Sequence, residues 1–135
     1  GSLSVEGSLE AESEVRVAGS LRAGRVRAPS VRLSGAFRVE GEVEGGSVEL
    51  ELSDDSSASL VRGEEVSVRR ADGGGLSISR LVRRERAPAL RVGRIEAKRV
   101  TVEDVTVRGD VKAERVELLG SGRIEGNVEG ELVRR

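Results

Sequence analysis

Six residue types are absent from the 135-residue chain: cysteine, histidine, methionine, tryptophan, tyrosine and glutamine. Without cysteine the chain can form neither a disulfide nor a thiolate metal site. Without histidine, the Ser-His-Asp and Cys-His nucleophile arrangements are excluded, as are a histidine-dependent acyltransferase and a histidine-zinc carbonic anhydrase. We therefore expect no catalytic residue, no metal site and no cofactor.

Aromatic residues and long apolar runs are scarce as well. Phe37 is the only aromatic residue, so a conventional globular core, which draws much of its buried area from aromatics, is not expected. A narrow interior of Val, Leu, Ile and Ala is expected instead, with Phe37 inside it. No stretch approaches the roughly 20 consecutive apolar residues that a membrane-spanning helix requires.

Charge is abundant but balanced. Charged residues make up 35% of the chain, yet the formal net charge is −1, because 23 basic residues nearly balance 24 acidic ones, and the two signs are interleaved along the sequence. A nucleic-acid-binding protein is expected to show a basic bias, so no nucleic-acid partner is predicted. Regular aliphatic alternation argues against disorder, the other interpretation of a charge-rich composition.

The clearest pattern lies between Leu90 and Leu118. Six short units occur there, each with two aliphatic residues flanking one polar residue, and they begin every five or six residues. Alternation of this kind has the period of a strand with one buried face. The units are Leu90/Val92, Ile95/Ala97, Val100/Val102, Val105/Val107, Val111/Ala113 and Val116/Leu118.

The same spacing runs through the first part of the chain and groups by three. Val15, Val31 and Val48 are equivalent positions, which gives a repeat of 16 or 17 residues. A sustained repeat of short strands is typical of a solenoid, in which stacked coils bury apolar faces that a single coil cannot bury. The sequence predicts an all-β, three-sided parallel β-helix (β-solenoid) of about seven coils.

One domain is predicted over residues 1–135, in three sections. Residues 1–52 and 90–135 are expected to form regular coils, the latter with the C-terminal end. Residues 53–89 are expected to form one or two irregular coils with protruding loops, because polar SDDSSAS and ADGGG segments interrupt the pattern. Ala58/Leu60, Val66/Val68 and Leu76/Ile78 are the candidate coil sides of this section, and a short helix is expected around 81–86.

Outward-facing residues give a test of register. A 16-residue repeat places Glu96 over Lys112, which is a favourable cross-strand pair. It also places Arg16 over Arg32 and Arg22 over Arg38, which is unfavourable unless nearby glutamates neutralise them.

Three polar clusters are candidate binding or catalytic sites. Asp54 and Asp55 could act as the paired carboxylates of a polysaccharide-cleaving β-helix, but no aromatic residue is available to stack on a sugar, and a polar loop is the better interpretation. The same holds for Glu64 and Glu65. A basic cluster in the middle section is a candidate contact for an acidic partner or an anionic membrane surface, with a solvated loop as the alternative. It consists of Arg80, Arg83, Arg84 and Arg86.

The two ends of the predicted stack are the main candidate site. A terminal coil exposes unpaired backbone groups above an apolar cross-section, which is a template for another chain. Neither end shows a capping helix or a charged strand, although solenoid monomers usually carry caps. The predicted self-assembly residues are Leu3, Val5, Leu9 and Ala11 at the N-terminal end, and Ile124, Val128 and Leu132 at the C-terminal end.

The repeated V-x-V/A units with E-G, E-A or R-G corners resemble the bactofilins, a family of polymer-forming cytoskeletal proteins. The resemblance is clearest in FRVEGEVEGGSVEL (Phe37 to Leu50) and AERVELLGSGRIEGNVEG (Ala113 to Gly130). It implies a right-handed solenoid that assembles end to end into nonpolar filaments without a nucleotide. It also implies a cytoplasmic scaffold, in some members membrane-associated, whose flexible flanks contact a membrane or protein partner; those flanks are not part of the repeat pattern.

These observations lead to a hypothesis of a non-enzymatic structural protein that binds itself through the solenoid ends, forming filaments or oligomers. The alternative is a non-polymerising binding module that uses the Arg-rich middle section. An enzyme acting on a polysaccharide is the third and weakest interpretation. The cellular role and the partners are not predicted.

Overall fold

The computed structural model describes residues 2–70 and 88–134, with the side chains of Ser2 and Leu3 outside that description. It is an all-β protein whose parallel strands stack as coils of a β-solenoid of about six turns. The strands are β1 (Ser2–Ser4), β2 (Ser8–Glu10), β3 (Glu14–Ala23), β4 (Arg25–Arg27), β5 (Ser30–Glu44), β6 (Ser47–Leu52), β7 (Ser56–Arg62), β8 (Glu65–Arg70), β9 (Ala89–Glu96), β10 (Arg99–Glu103), β11 (Thr106–Leu119), β12 (Arg123–Ile124) and β13 (Val128–Arg134).

Strand pairing defines three faces, each of which the described chain passes seven times, so about six turns separate the first level from the last. Face 1 carries the inward residues Leu21, Phe37, Ser56, Leu90, Val107 and Ile124, with Leu3 in register before them. Face 2 carries Leu9, Val26, Val43, Val61, Ile95, Val111 and Val128. Face 3 carries Val15, Val31, Val48, Val66, Val100, Val116 and Leu132.

The core is the narrow aliphatic interior that the composition predicts. Nearly every inward Val, Leu and Ile of the inner coils is buried, and Phe37 is 4% exposed, which confirms its predicted core position. Ser56 is the only buried polar residue of the described chain. Its hydroxyl accepts a hydrogen bond from the Phe37 backbone N–H at 3.1 Å, so the polar group is satisfied rather than left unpaired.

The coils on either side of residues 71–87 are direct neighbours in the stack. Ala58 pairs with Val92, and Val66 pairs with Val100, although 34 residues separate each pair. Residues 56–70 therefore contribute a coil with all three faces, within the section predicted to be irregular. The predicted unit Leu76/Ile78 and the predicted helix around 81–86 lie outside the described residues.

The predicted register is confirmed at all three tested pairs. Glu96 lies over Lys112, and the arginine pairs Arg16/Arg32 and Arg22/Arg38 are also in register. Neighbouring glutamates neutralise the first arginine pair: Glu14 accepts from Arg16 at 3.0 Å and Glu49 accepts from Arg32 at 2.7 Å. The hydrogen bond and charge of Glu49 raise the pKa of the Arg32 guanidinium above its usual range.

Face 2 shows how the coils are matched electrostatically. One outward column reads Glu10, Arg27, Glu44, Arg62, Glu96, Lys112 and Glu129, so its charge reverses at every level. A slip by one coil would place like charges opposite each other, which is unfavourable in neighbouring strands. The alternation therefore supports the same register that the aliphatic interior requires.

Candidate functional site: the ends of the stack

The N-terminal end is an open sheet edge above an apolar cross-section. Among the described strands, β1 pairs only with β3, and β2 pairs only with β4, so each has one side without a described partner. The inward residues Val5, Leu9, Ala11 and Val17 are only partly buried, whereas Val26, one coil further in, is 0% exposed. A partner layer that covered this end would complete the burial of these side chains.

The C-terminal end is open too. Strands β12 and β13 pair with β11 and with no other strand that the structure describes. Ile124 and Val128 are partly buried, and Leu132 is 53% exposed, the only large hydrophobic residue of the described chain with that degree of exposure. The predicted residues of each end therefore lie together on one terminal coil, apart from the side chain of Leu3, which is outside the described residues.

The expectation that neither end carries a charged strand is wrong for the C-terminal end. Arg134 lies under Leu118, in the column that carries Val17 at the other end and buried leucines and valines in between. Its guanidinium Nη2 donates to the Gly122 carbonyl oxygen at 3.1 Å. A charge in an inward column is one of the devices that protect a sheet edge from further pairing, so the C-terminal end is partly capped.

Sequence reasoning missed this cap because it assigns only Leu132 to the last unit, so that the second inward position of that unit is unassigned. The signal was available in the repeat, since Val116 and Leu118 are two residues apart in the coil above. Counting from Leu132 by the same interval reaches Arg134, not an aliphatic residue.

Both carboxylates of the Asp54/Asp55 pair accept backbone hydrogen bonds. Asp54 Oδ1 accepts from the Asp55 backbone N–H at 2.8 Å, and Asp55 Oδ1 accepts from the Ala89 N–H at 2.9 Å. Asp55 thus connects the start of one coil to the start of the next. At another corner, the Glu64 carbonyl accepts the backbone N–H groups of Lys98 and Arg99 at 3.0 Å each.

The remaining predicted site residues, Arg80, Arg83, Arg84 and Arg86, lie outside the described residues. Across residues 2–70 and 88–134, no group of three acidic side chains is arranged to hold a metal ion. Among these same residues, no helix has the length and apolarity needed to cross a membrane.

Comparison of the chain with protein-family models, with curated proteins and with solved structures gives no match. The resemblance to bactofilins therefore stays a prediction, as does the right-handed sense that it implies.

Proposed function

We propose that this protein is a non-catalytic structural subunit that associates with its own copies through the ends of the solenoid, as the bactofilin-like repeat implies. The observation that supports the proposal most directly is the N-terminal coil, where free strand edges surround partly exposed aliphatic side chains and no inward position is charged. A second copy supplies the same combination of backbone donors, acceptors and apolar groups.

Charges at the two ends favour contact between two N-terminal ends over contact between a C-terminal and an N-terminal end. If the C-terminal coil of one copy continued the register onto the N-terminal coil of the next, Glu129 would lie against Glu10. In the same arrangement Arg134 would lie against Val17, which would desolvate its guanidinium. An N-terminal end that meets a second N-terminal end avoids the inward arginine and pairs one aliphatic cross-section with another.

The strength of such a contact is limited by the small cross-section. Each partly exposed aliphatic side chain that becomes buried contributes on the order of 1 kcal/mol. Loss of translational and rotational freedom on association costs about 4–15 kcal/mol, so backbone pairing between the open edges must supply part of the stability. We therefore expect assembly that depends strongly on protein concentration.

The test combines light scattering, which reports mass in solution, with electron microscopy over a concentration series into the high-micromolar range. Leu9→Arg places a charge at the N-terminal cross-section and should reduce the assembly mass. Val128→Glu with Leu132→Glu does the same at the C-terminal end. Thr106→Glu, an outward change on an inner coil opposite Arg123, is the matched control and should assemble like the parent chain.

A parent chain that stays monomeric at every concentration contradicts the proposal. Loss of assembly only in the N-terminal variant indicates dimers through one end, whereas loss of filaments in either variant indicates that both ends are used. Circular dichroism of each variant shows whether the β-solenoid is retained, so that loss of assembly can be told apart from unfolding.

A further inference from the structure

A second surface stands apart from the ends: the central outward column of face 1. From the second level to the sixth it reads Arg22, Arg38, Ser57, Arg91 and Arg108, in register from coil to coil. No acidic residue interrupts these five levels, in contrast to the charge-alternating column of face 2. Like charges directly opposite each other on neighbouring strands are destabilising, so this column is unfavourable on its own.

The arginines of this column are poorly neutralised within the protein. Arg22, Arg38 and Arg91 are exposed and form no ion pair within the described part of the chain. Arg108 has one partner, Glu125, at 3.5 Å at the edge of the stack. The contrast with Arg16 and Arg32, both paired with glutamates, shows that ion pairing is common elsewhere on the surface.

Ser57 interrupts the arginines of this column, and a shallow basin lies at that position. Ser57 lies one level from Arg38 and one level from Arg91, and neighbouring levels of a sheet are about 4.8 Å apart. With Ser59 and Gly93, it forms the floor of a depression of about 720 Å³ that the arginines border. Because these floor residues are small, a ligand can reach the sheet between the long arginine side chains.

The polar groups of the basin are mostly donors. The Ser57 hydroxyl has no hydrogen-bond partner within the described chain, whereas the Ser59 hydroxyl donates to the Glu40 carbonyl oxygen at 2.5 Å. Glu40 supplies the single carboxylate of the lining, against the guanidinium groups of Arg38, Arg91 and Arg108. The balance favours an anion whose oxygens accept several hydrogen bonds.

We propose that this basin binds a phosphate-type oxyanion, held between Arg38 and Arg91 above the Ser57 hydroxyl. Guanidinium groups match such an anion because their parallel N–H donors can contact two oxygens at once. Arg108, one level beyond Arg91, contributes a further positive charge. Bound anion also relieves the repulsion along the column, so binding stabilises the coils that carry it.

Two sources can present this group, a free phosphate compound and the headgroups of an anionic bilayer, and two measurements separate them. In the first, inorganic pyrophosphate is titrated into the protein and backbone amides are followed by NMR. We expect saturable shifts at Ser57, Arg91 and Gly93, together with a rise in melting temperature. In the second, binding to phosphatidylglycerol vesicles is compared with binding to phosphatidylcholine vesicles by co-sedimentation.

The decisive variant is Arg38→Ser with Arg91→Ser, which should weaken pyrophosphate binding at least tenfold and remove the ligand-induced rise in melting temperature. Arg16→Ser with Arg99→Ser, on face 3, removes the same charge outside the basin and should retain the parent affinity within about twofold, because screened charges at a distance contribute little. Without ligand, the basin variant is expected to melt no earlier than the parent, since it removes like-charge repulsion along the column and breaks no ion pair within the described part of the chain.

Saturable pyrophosphate binding that the basin variant alone loses supports the proposal, and parallel loss of phosphatidylglycerol binding identifies lipid headgroups as a source. Absence of saturable binding to either ligand overturns it, as does equal loss of binding in the face 3 control. Should the double variant fail to fold, Arg91→Ser and Ser57→Val carry the test separately: the first removes a charge, and the second removes the hydroxyl and fills the floor while leaving all charges in place.

Discussion

Replacing Gly35 with alanine is expected to destabilise the solenoid far more than the same change at Gly7. Both glycines have a positive φ, +118° at Gly35 and +97° at Gly7, a region that L-residues with a side chain rarely adopt. Their surroundings differ. A Cβ at Gly35 would clash severely with the carbonyl oxygen of Gly19, one coil below, because the two atoms would be far closer than van der Waals contact allows. A Cβ at Gly7 would meet no atom within 4 Å.

The expected loss of stability has two contributions, the positive φ and the steric clash with the neighbouring coil. The unfavourable backbone conformation costs about 1–3 kcal/mol at either position. At Gly35, relief of the clash additionally requires the two coils to separate where Gly19 and Gly35 pair, with the loss of ladder hydrogen bonds worth about 1 kcal/mol each. The total is about 3–5 kcal/mol, which for a chain of this size lowers the melting temperature by roughly 10–18 °C.

Thermal unfolding followed by circular dichroism measures both variants against the parent. Gly7→Ala should melt about 4–10 °C below the parent chain, and Gly35→Ala distinctly lower than Gly7→Ala. Indistinguishable melting temperatures for the two variants would refute the reasoning, because the close approach of neighbouring coils would then not be what requires a glycine at this corner.

Three further predictions follow from the core and the surface. Phe37→Ala should cost about 3–5 kcal/mol in chemical denaturation, because it leaves a cavity in the interior, whereas Phe37→Leu should cost less than about 1.5 kcal/mol. Arg62→Glu replaces the 3.2 Å pair with Glu96 by repulsion and should lower the melting temperature in dilute buffer; the loss should shrink in high salt, since both groups are partly exposed, and an unchanged loss would contradict an electrostatic cause. Asp55→Ala removes the acceptor of the Ala89 N–H, so that amide should exchange with deuterium faster than in the parent, and unaltered exchange would show that the bond does not protect it.

Much of the architecture was accessible from residue spacing. Val15, Val31 and Val48 mark the repeat, and the same residues pair with each other in the stack. The physical reason is that a short strand with alternating aliphatic residues buries its apolar face only when equivalent strands stack above and below it. The spacing of equivalent residues in the sequence is therefore the number of residues in one coil. The register of Glu96 over Lys112 followed from the same count.

Local irregularities were not accessible in this way. The unit Ala58/Leu60 was predicted to face inward, yet the core residue after Ala58 is Val61, and Leu60 is partly exposed. The register shifts between Val39 and Glu42 on the strand that pairs with this one. A one-residue shift exchanges inward and outward positions, and its location depends on the partner strand, which the local pattern does not specify.

The sequence by itself determined that the chain is a three-sided stack of short parallel strands without a histidine- or cysteine-dependent site, because composition and period bear directly on both. Only the tertiary structure decided which coils are neighbours across residues 71–87, since the length of a connection does not specify the partner of the strand that follows. It also decided the character of the surfaces. Arg134 lies in a core column at one end, and the arginines beside Ser57 have no acidic partners within the described chain. Both features arise because folding places residues that are distant in sequence one coil apart.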